Sequence, residues 1–292
     1  MGPSLLCAEG GTGLKTARHP HNKKVMTEYN FDEIIPRRNT ASVKWDLFEE
    51  DTLPLWVADM DFKTAPAVLE ALRKRLEHGV FGYELVPQSY YDAVSNWFDR
   101  RHGWKGITRE HIIPTTGVIA AYSACIKAFS RPGDNVIVQT PCYNAFFPAI
   151  RNNGCRELCN SLIYKDNTYS IDWEDLESKA ANPKTTVMLL CNPHNPAGRV
   201  WTREELPMVK ALPLEGTYLM WLDCRAALHE GEALEGFSER FANHLRYEAK
   251  LILSTGTIYG ADAEGFERLN IACPRSTLIE GLRRLRLGFL NY

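Results

Sequence analysis

The spacing of hydrophobic and polar positions changes several times along the chain, and each change marks an element. APAVLEALRKRLEHG has apolar residues at helical spacing and closes on Gly79, which predicts a helix with a glycine cap. SYYDAVSNWFDRRHG predicts a second amphipathic helix, and TTGVIAAYSACIKAFS a tight turn running into a third. After these the pattern alternates. NVIVQT, CRELCNSLIY and TTVMLLC read as strands, with helices expected at FFPAIRNNG and near WEDLESKA. Apolar strands separated by helices predict a parallel sheet covered on both faces. Beyond Lys210 the character shifts: GTYLMWLDCR and RLNIACP read as strands, and SERFANHLRYEAK and STLIEGLRRL as helices.

YNFDEIIPRR and WDLFEEDTLPLWVADMDF predict an irregular N-terminal segment that helps build this C-terminal part. The expected organisation is a disordered extension over 1–25 and an N-terminal segment over 26–75. A large α/β part follows over 76–210, then a small α+β part over 211–292. The extension has no hydrophobic periodicity, and patterned sequence starts at Met26, the expected natural start. Its GGTGLKT stretch is no phosphate loop, because Leu14 separates Gly13 from Lys15 and no strand precedes it.

Composition narrows the function classes. The chain has 292 residues, 45% hydrophobic and 24% charged, with a formal net charge of −2. This is an ordinary globular balance that points to neither nucleic acid nor an anionic membrane as partner. No apolar run approaches the ~18 residues of a spanning helix. The eight cysteines are scattered singly, without a C-x-x-C pair, so neither a metal site nor a disulfide framework is expected. Those in apolar runs (Cys125, Cys191, Cys273) should behave as small hydrophobes. With no secretory leader, the cytoplasm is the expected compartment.

Three features carry candidate chemistry. Thr116-Gly117-Val118-Ile119 opens a helix, where free N–H groups and the helix dipole can receive a phosphate. Tyr143 follows NVIVQT at the carboxyl edge of the predicted sheet, where ligands of open α/β folds bind. CNPHNPAGRV holds Asn192 and Asn195 in a turn at the same edge. Asn beside Pro is a common turn former, which accounts for one of the two.

The ordered set WVADMDF, FGY, TTGV, TPCYNAFF, CNPHNPAGRVW, PLEGTYLMWLDCR and RLNIACPR resembles the MalY/PatB-type cystathionine β-lyases of the class I and II aminotransferase superfamily. The resemblance spans Tyr29 to about Leu287. It implies fold type I, a three-layer α/β/α large domain with a small α+β domain, and pyridoxal 5′-phosphate as cofactor. On it, Gly117, Val118 and Ile119 cradle the phosphate, Tyr143 stacks on the ring, and Asn195 bonds the ring hydroxyl. Arg275 clamps the α-carboxylate of a sulfur amino acid, and Tyr83 reaches the phosphate of a neighbouring subunit, which implies a homodimer. Asp59 and Asp61 border the substrate mouth with no chemistry assigned.

One departure from the family pattern stands out. EELPMVK runs into ALPLEGTY directly after Lys210, and no segment resembles the family's ring-nitrogen aspartate strand or its Ser-x-x-Lys motif. The large domain is therefore interrupted and no catalytic residue is identified, since the Schiff-base lysine is missing. Neither Lys127 nor Lys210 has that motif's setting, and Asp223 lies on a C-terminal strand. The resemblance implies C–S β-lyase chemistry that yields thiol, pyruvate and ammonia, impaired in this chain. The alternatives are a non-catalytic binding remnant and, among enzymes, an aminotransferase.

Overall fold

The computed structural model describes residues 29–202, 205 and 218–292. The extension over 1–25, its GGTGLKT stretch, Met26 and Lys210 lie outside the described residues. The first elements are α1 (Val43–Asp46), β1 (Leu53–Pro54), α2 (Pro66–His78), α3 (Gln88–His102) and α4 (Val118–Phe129). Then come β2 (Asn135–Thr140), α5 (Phe146–Asn152), β3 (Arg156–Ser161), β4 (Ile163–Lys165), β5 (Thr168–Ser170), α6 (Trp173–Ala180) and β6 (Thr185–Leu189). The chain closes with β7 (Leu219–Asp223), α7 (Phe237–Tyr247), β8 (Leu251–Ile252), β9 (Ser254–Thr255), β10 (Phe266–Asn270) and α8 (Arg275–Asn291).

The helix boundaries follow their local chemistry. Pro66 opens α2, where its missing N–H costs nothing, and Gly79 ends the helix at a left-handed φ of 72°. Asp172 caps α6 by accepting from the Asp175 N–H at 3.0 Å.

The parallel sheet has the order β3–β2–β6, with Asn135 to Thr140 paired in register with Arg156 to Ser161. Alternation along β2 divides the core. Val136 and Val138 pack with Ile126, Phe146 and Ile150 beneath α4 and α5, while Ile137 faces Leu162, Tyr169, Ile171 and Trp201. Of the three strands of this sheet, β2 alone is buried along nearly its whole length. The expectation of strands covered on both faces fails at β3 and β6, which are edges in a three-stranded sheet, so Met188 is exposed. CRELCNSLIY also divides into β3 and β4, and β4 leaves the sheet to pair with β5.

A second, antiparallel sheet has the order β7–β10–β9. Leu53 and Pro54 of β1 pair with Leu251 and Ile252 of β8, and Leu55 joins Phe237, Phe241, Leu245, Leu253 and Leu269 in the C-terminal core. The segment before α2 is thus built into the C-terminal part. By contrast α2, although amphipathic, buries none of its own residues.

Candidate functional site

A cavity of about 990 Å³ opens at the carboxyl edge of the parallel sheet, where the loops after β2 and β6 meet the start of α4. Gly117, Val118, Ile119, Tyr143 and Asn195 all line it, so five of the seven residues to which the resemblance gives a binding role converge here.

Gly117 caps α4 at φ 151° and ψ 161°, a conformation that side-chain-bearing residues rarely adopt, and open space surrounds the position of a Cβ. The first helical hydrogen bond runs from the Ala121 N–H to Gly117 O at 3.1 Å. The N–H groups of Val118, Ile119 and Ala120 therefore precede the helical ladder, at the positive end of a 12-residue helix. That end can receive an anion.

Tyr143 is half-buried and meets Phe146 edge to face at 5.7 Å. The two asparagines of CNPHNPAGRV separate by role. Asn192 Oδ1 accepts from the Trp201 N–H at 3.1 Å and closes its own turn, whereas Asn195 Oδ1 accepts from Arg268 at 3.2 Å. Between them lies His194, fully buried, whose Nε2 bonds Pro141 O at 2.8 Å. This contact ties the β6 exit loop to the β2 exit loop and so holds Tyr143 and Asn195 on one wall. Burial pushes the His194 pKa down, which keeps the ring neutral.

Arg275 is not in the cavity. It occupies the first turn of α8 after Pro274, its side chain is 82% exposed, and it faces Asp32 at 4.0 Å. The chain has already left the sheet at that point and turned toward solvent. Seven residues earlier, Arg268 on β10 is only 5% exposed and has no carboxylate partner among the described residues. Its guanidinium donates to Asn195 Oδ1 and to Trp56 O at 3.0 Å, lies 4.9 Å from the Tyr259 ring centroid, and leaves Nε unpartnered. Burial lowers its pKa. An arginine at the head of RLNIACP, a stretch that reads as a strand, was the available signal.

Tyr83 is fully exposed and does not line this cavity. Asp61 is a structural hub: it is buried and takes Arg37 at 2.8 Å, Lys44 at 2.7 Å and the Trp45 indole at 2.8 Å. Asp59 pairs with Arg37 at 2.6 Å. Asp223 is held by Arg225 at 2.6 Å, which keeps its carboxyl below the usual range. Cys125 is exposed on α4, contrary to the expectation of a buried thiol, whereas Cys273 is buried and burial pushes its pKa up to about 11. Among the described residues no cluster is arranged to hold a metal, and no helix is long and apolar enough to cross a membrane.

These residues suit the phosphate and ring of pyridoxal 5′-phosphate, with free N–H groups at one end and an aromatic and an amide on the walls. They do not suit its covalent attachment, because no lysine is among the described lining residues.

Residues 50–215 match the family described as aminotransferase class I and II. Cystathionine β-lyase PatB of Bacillus subtilis (strain 168) is 48% identical over 191 residues, covering 64% of this chain and 49% of the relative. Protein MalY of Escherichia coli (strain K12) is 35% identical over 190 residues, covering 63% and 48%. The chain thus spans about half the length of the curated relatives it matches. Among solved structures, cystalysin from Treponema denticola, which contains pyridoxal 5′-phosphate, superposes with a TM-score of 0.81 at 25% identity. That match covers 90% of this chain and 99% of cystalysin.

Proposed function

Since the chain belongs to the aminotransferase class I and II family, we propose that its cavity binds pyridoxal 5′-phosphate and that it is a C–S β-lyase by descent with impaired turnover. The observation that carries this reading is the convergence of the Gly117–Ile119 helix start, Tyr143 and Asn195 on one cavity. The lyase direction is supported by the relatives named cystathionine β-lyase.

When bound, the cofactor supplies an electron sink for negative charge at the substrate α-carbon. The N–H groups of Val118 and Ile119 hold the phosphate, Tyr143 packs on the ring, and Asn195 bonds the ring hydroxyl. Arg268, rather than Arg275, receives the α-carboxylate of a sulfur amino acid such as cystathionine, because its charge is buried and has no carboxylate partner among the described residues. Among the described residues no lining side chain can take a proton from the α-carbon as a lysine would. The missing general base alone lowers turnover roughly 10²–10⁴-fold.

The same reading includes division near Lys210 into a cofactor-binding part and a C-terminal part, residence in the cytoplasm, and a homodimer in which Tyr83 serves the neighbouring subunit's cavity. Full exposure of Tyr83 and the uncovered apolar side of α2 support the dimer.

The test is to saturate the purified chain with pyridoxal 5′-phosphate, add cystathionine, and follow pyruvate, with keto-acid-dependent amino transfer measured in parallel. We expect saturable cofactor binding and pyruvate formation at least about 100-fold slower than in a relative with the Ser-x-x-Lys motif. Equal rates would refute the impairment, absence of binding would refute the site, and amino transfer would move the chain to the aminotransferases.

A further inference from the structure

Among the described residues the lining of the cavity is uncharged: Thr116, Gly117, Tyr143, Cys191, Asn192 and Asn195 are typical of it, and it includes no described lysine, aspartate or glutamate. Among the described residues, Lys44, Lys127 and Lys179 are committed or remote. Lys44 is buried, yet its ammonium is held by Asp61 at 2.7 Å and by Asp59 O at 2.8 Å. Lys127 is exposed nine residues beyond Val118 on α4, about 14 Å along the helix axis. Lys179 is bound by Asp175 at 2.5 Å on α6. The nearby cation, Arg268, carries a guanidinium that stays protonated and does not form an imine.

Recognition in such a cavity rests on a phosphate at the start of α4 and on ring contacts with Tyr143 and Asn195. Neither depends on an aldehyde. No carboxylate among the described lining residues keeps a pyridine nitrogen protonated, so a neutral ring suits the walls. Resting on the reading that this cavity takes pyridoxal 5′-phosphate, we infer that it binds phosphorylated pyridoxine vitamers reversibly and irrespective of the aldehyde, as a carrier site. Pyridoxine 5′-phosphate, with a hydroxymethyl group in place of the aldehyde, is the ligand that separates this from an enzyme with a lysine anchor.

The experiment titrates the full chain by calorimetry with pyridoxal 5′-phosphate, pyridoxine 5′-phosphate and unphosphorylated pyridoxal. It is followed by borohydride treatment of the first complex and peptide mapping. We expect the two phosphates to bind within about threefold of each other and pyridoxal at least about tenfold more weakly, with no lysine labelled stoichiometrically. Gly117→Val, which puts a side chain where φ is 151°, should weaken both phosphates about tenfold and leave pyridoxal unchanged. A preference above about thirtyfold for pyridoxal 5′-phosphate over the alcohol, with one fully labelled lysine, Lys210 included, overturns the inference but leaves the cofactor reading standing. If neither phosphate binds, both fall. Gly117→Val binding both phosphates as well as the parent chain also overturns the inference.

Discussion

Adjacent residues of β10 illustrate how much one position can decide. Arg268 and Glu267 point to opposite faces of the strand and both are buried, but only Arg268 has polar partners. Both carboxylate oxygens of Glu267 lack a hydrogen-bond partner, and burial, with Glu264 nearby, raises its pKa well above the ordinary value. A carboxyl whose folded pKa is raised stays protonated in the native state while the unfolded chain releases its proton. Stability therefore falls as pH rises from about 4.3 toward the folded pKa. Glu267→Gln should be near neutral at about pH 4 and more stable than the parent chain by on the order of 1–3 kcal/mol at about pH 8, read from denaturant unfolding. Parallel pH profiles for the two proteins would show that Glu267 ionises without cost. The pattern FERLN does not reveal which charge finds polar partners and which is left without them, since both sit at strand positions. The same limit explains Arg275 and Arg268: spacing offers two arginines near one motif, and only the turn at Pro274 separates them.

At the scale of elements, close approach matters more than propensity. Gly256 opens a short turn between β9 and β10, and a Cβ there would lie 2.4 Å from both Ala263 O and Phe266 O. Backbone oxygens cannot swing aside as a side chain can. Gly256→Ala should cost at least about 2 kcal/mol and lower the melting temperature, whereas Gly82→Ala, with nothing within 4 Å, should change it little. Equal melting temperatures would mean that the turn relaxes freely. The helices and strands themselves were readable from period and caps, as Gly79 and Asp172 show. Their burial was not, because covering β3 and β6 requires neighbouring strands that the described sheet does not contain.

For the whole molecule, the uncovered apolar side of α2 carries the dimer proposal. Val68, Leu69, Leu72 and Leu76 recur at helical spacing, and each is at least 40% exposed. Single exposed apolar residues are common, but an aligned set of four is a surface that an assembly covers. We expect the parent chain to sediment as a dimer and Leu72→Asp with Leu76→Asp to sediment as a monomer with unchanged far-ultraviolet dichroism. A parent chain that sediments as a monomer would remove both the dimer and the role given to Tyr83.

The sequence by itself determined the alternation of elements, the family, the helix start at Gly117 to Ile119, the placing of Tyr143 and Asn195 at the sheet's carboxyl edge, and the want of a lysine motif. These depend on local period, on turn chemistry and on residues adjacent in the chain. Tertiary structure decided that Asn192 closes its own turn, that His194 ties two loops together, that Asp61 serves packing, and that Arg268 rather than Arg275 lies beside the cavity. Each of these depends on which segments distant in sequence meet at one strand edge, and side-chain burial at such a meeting is set by all the packed partners together.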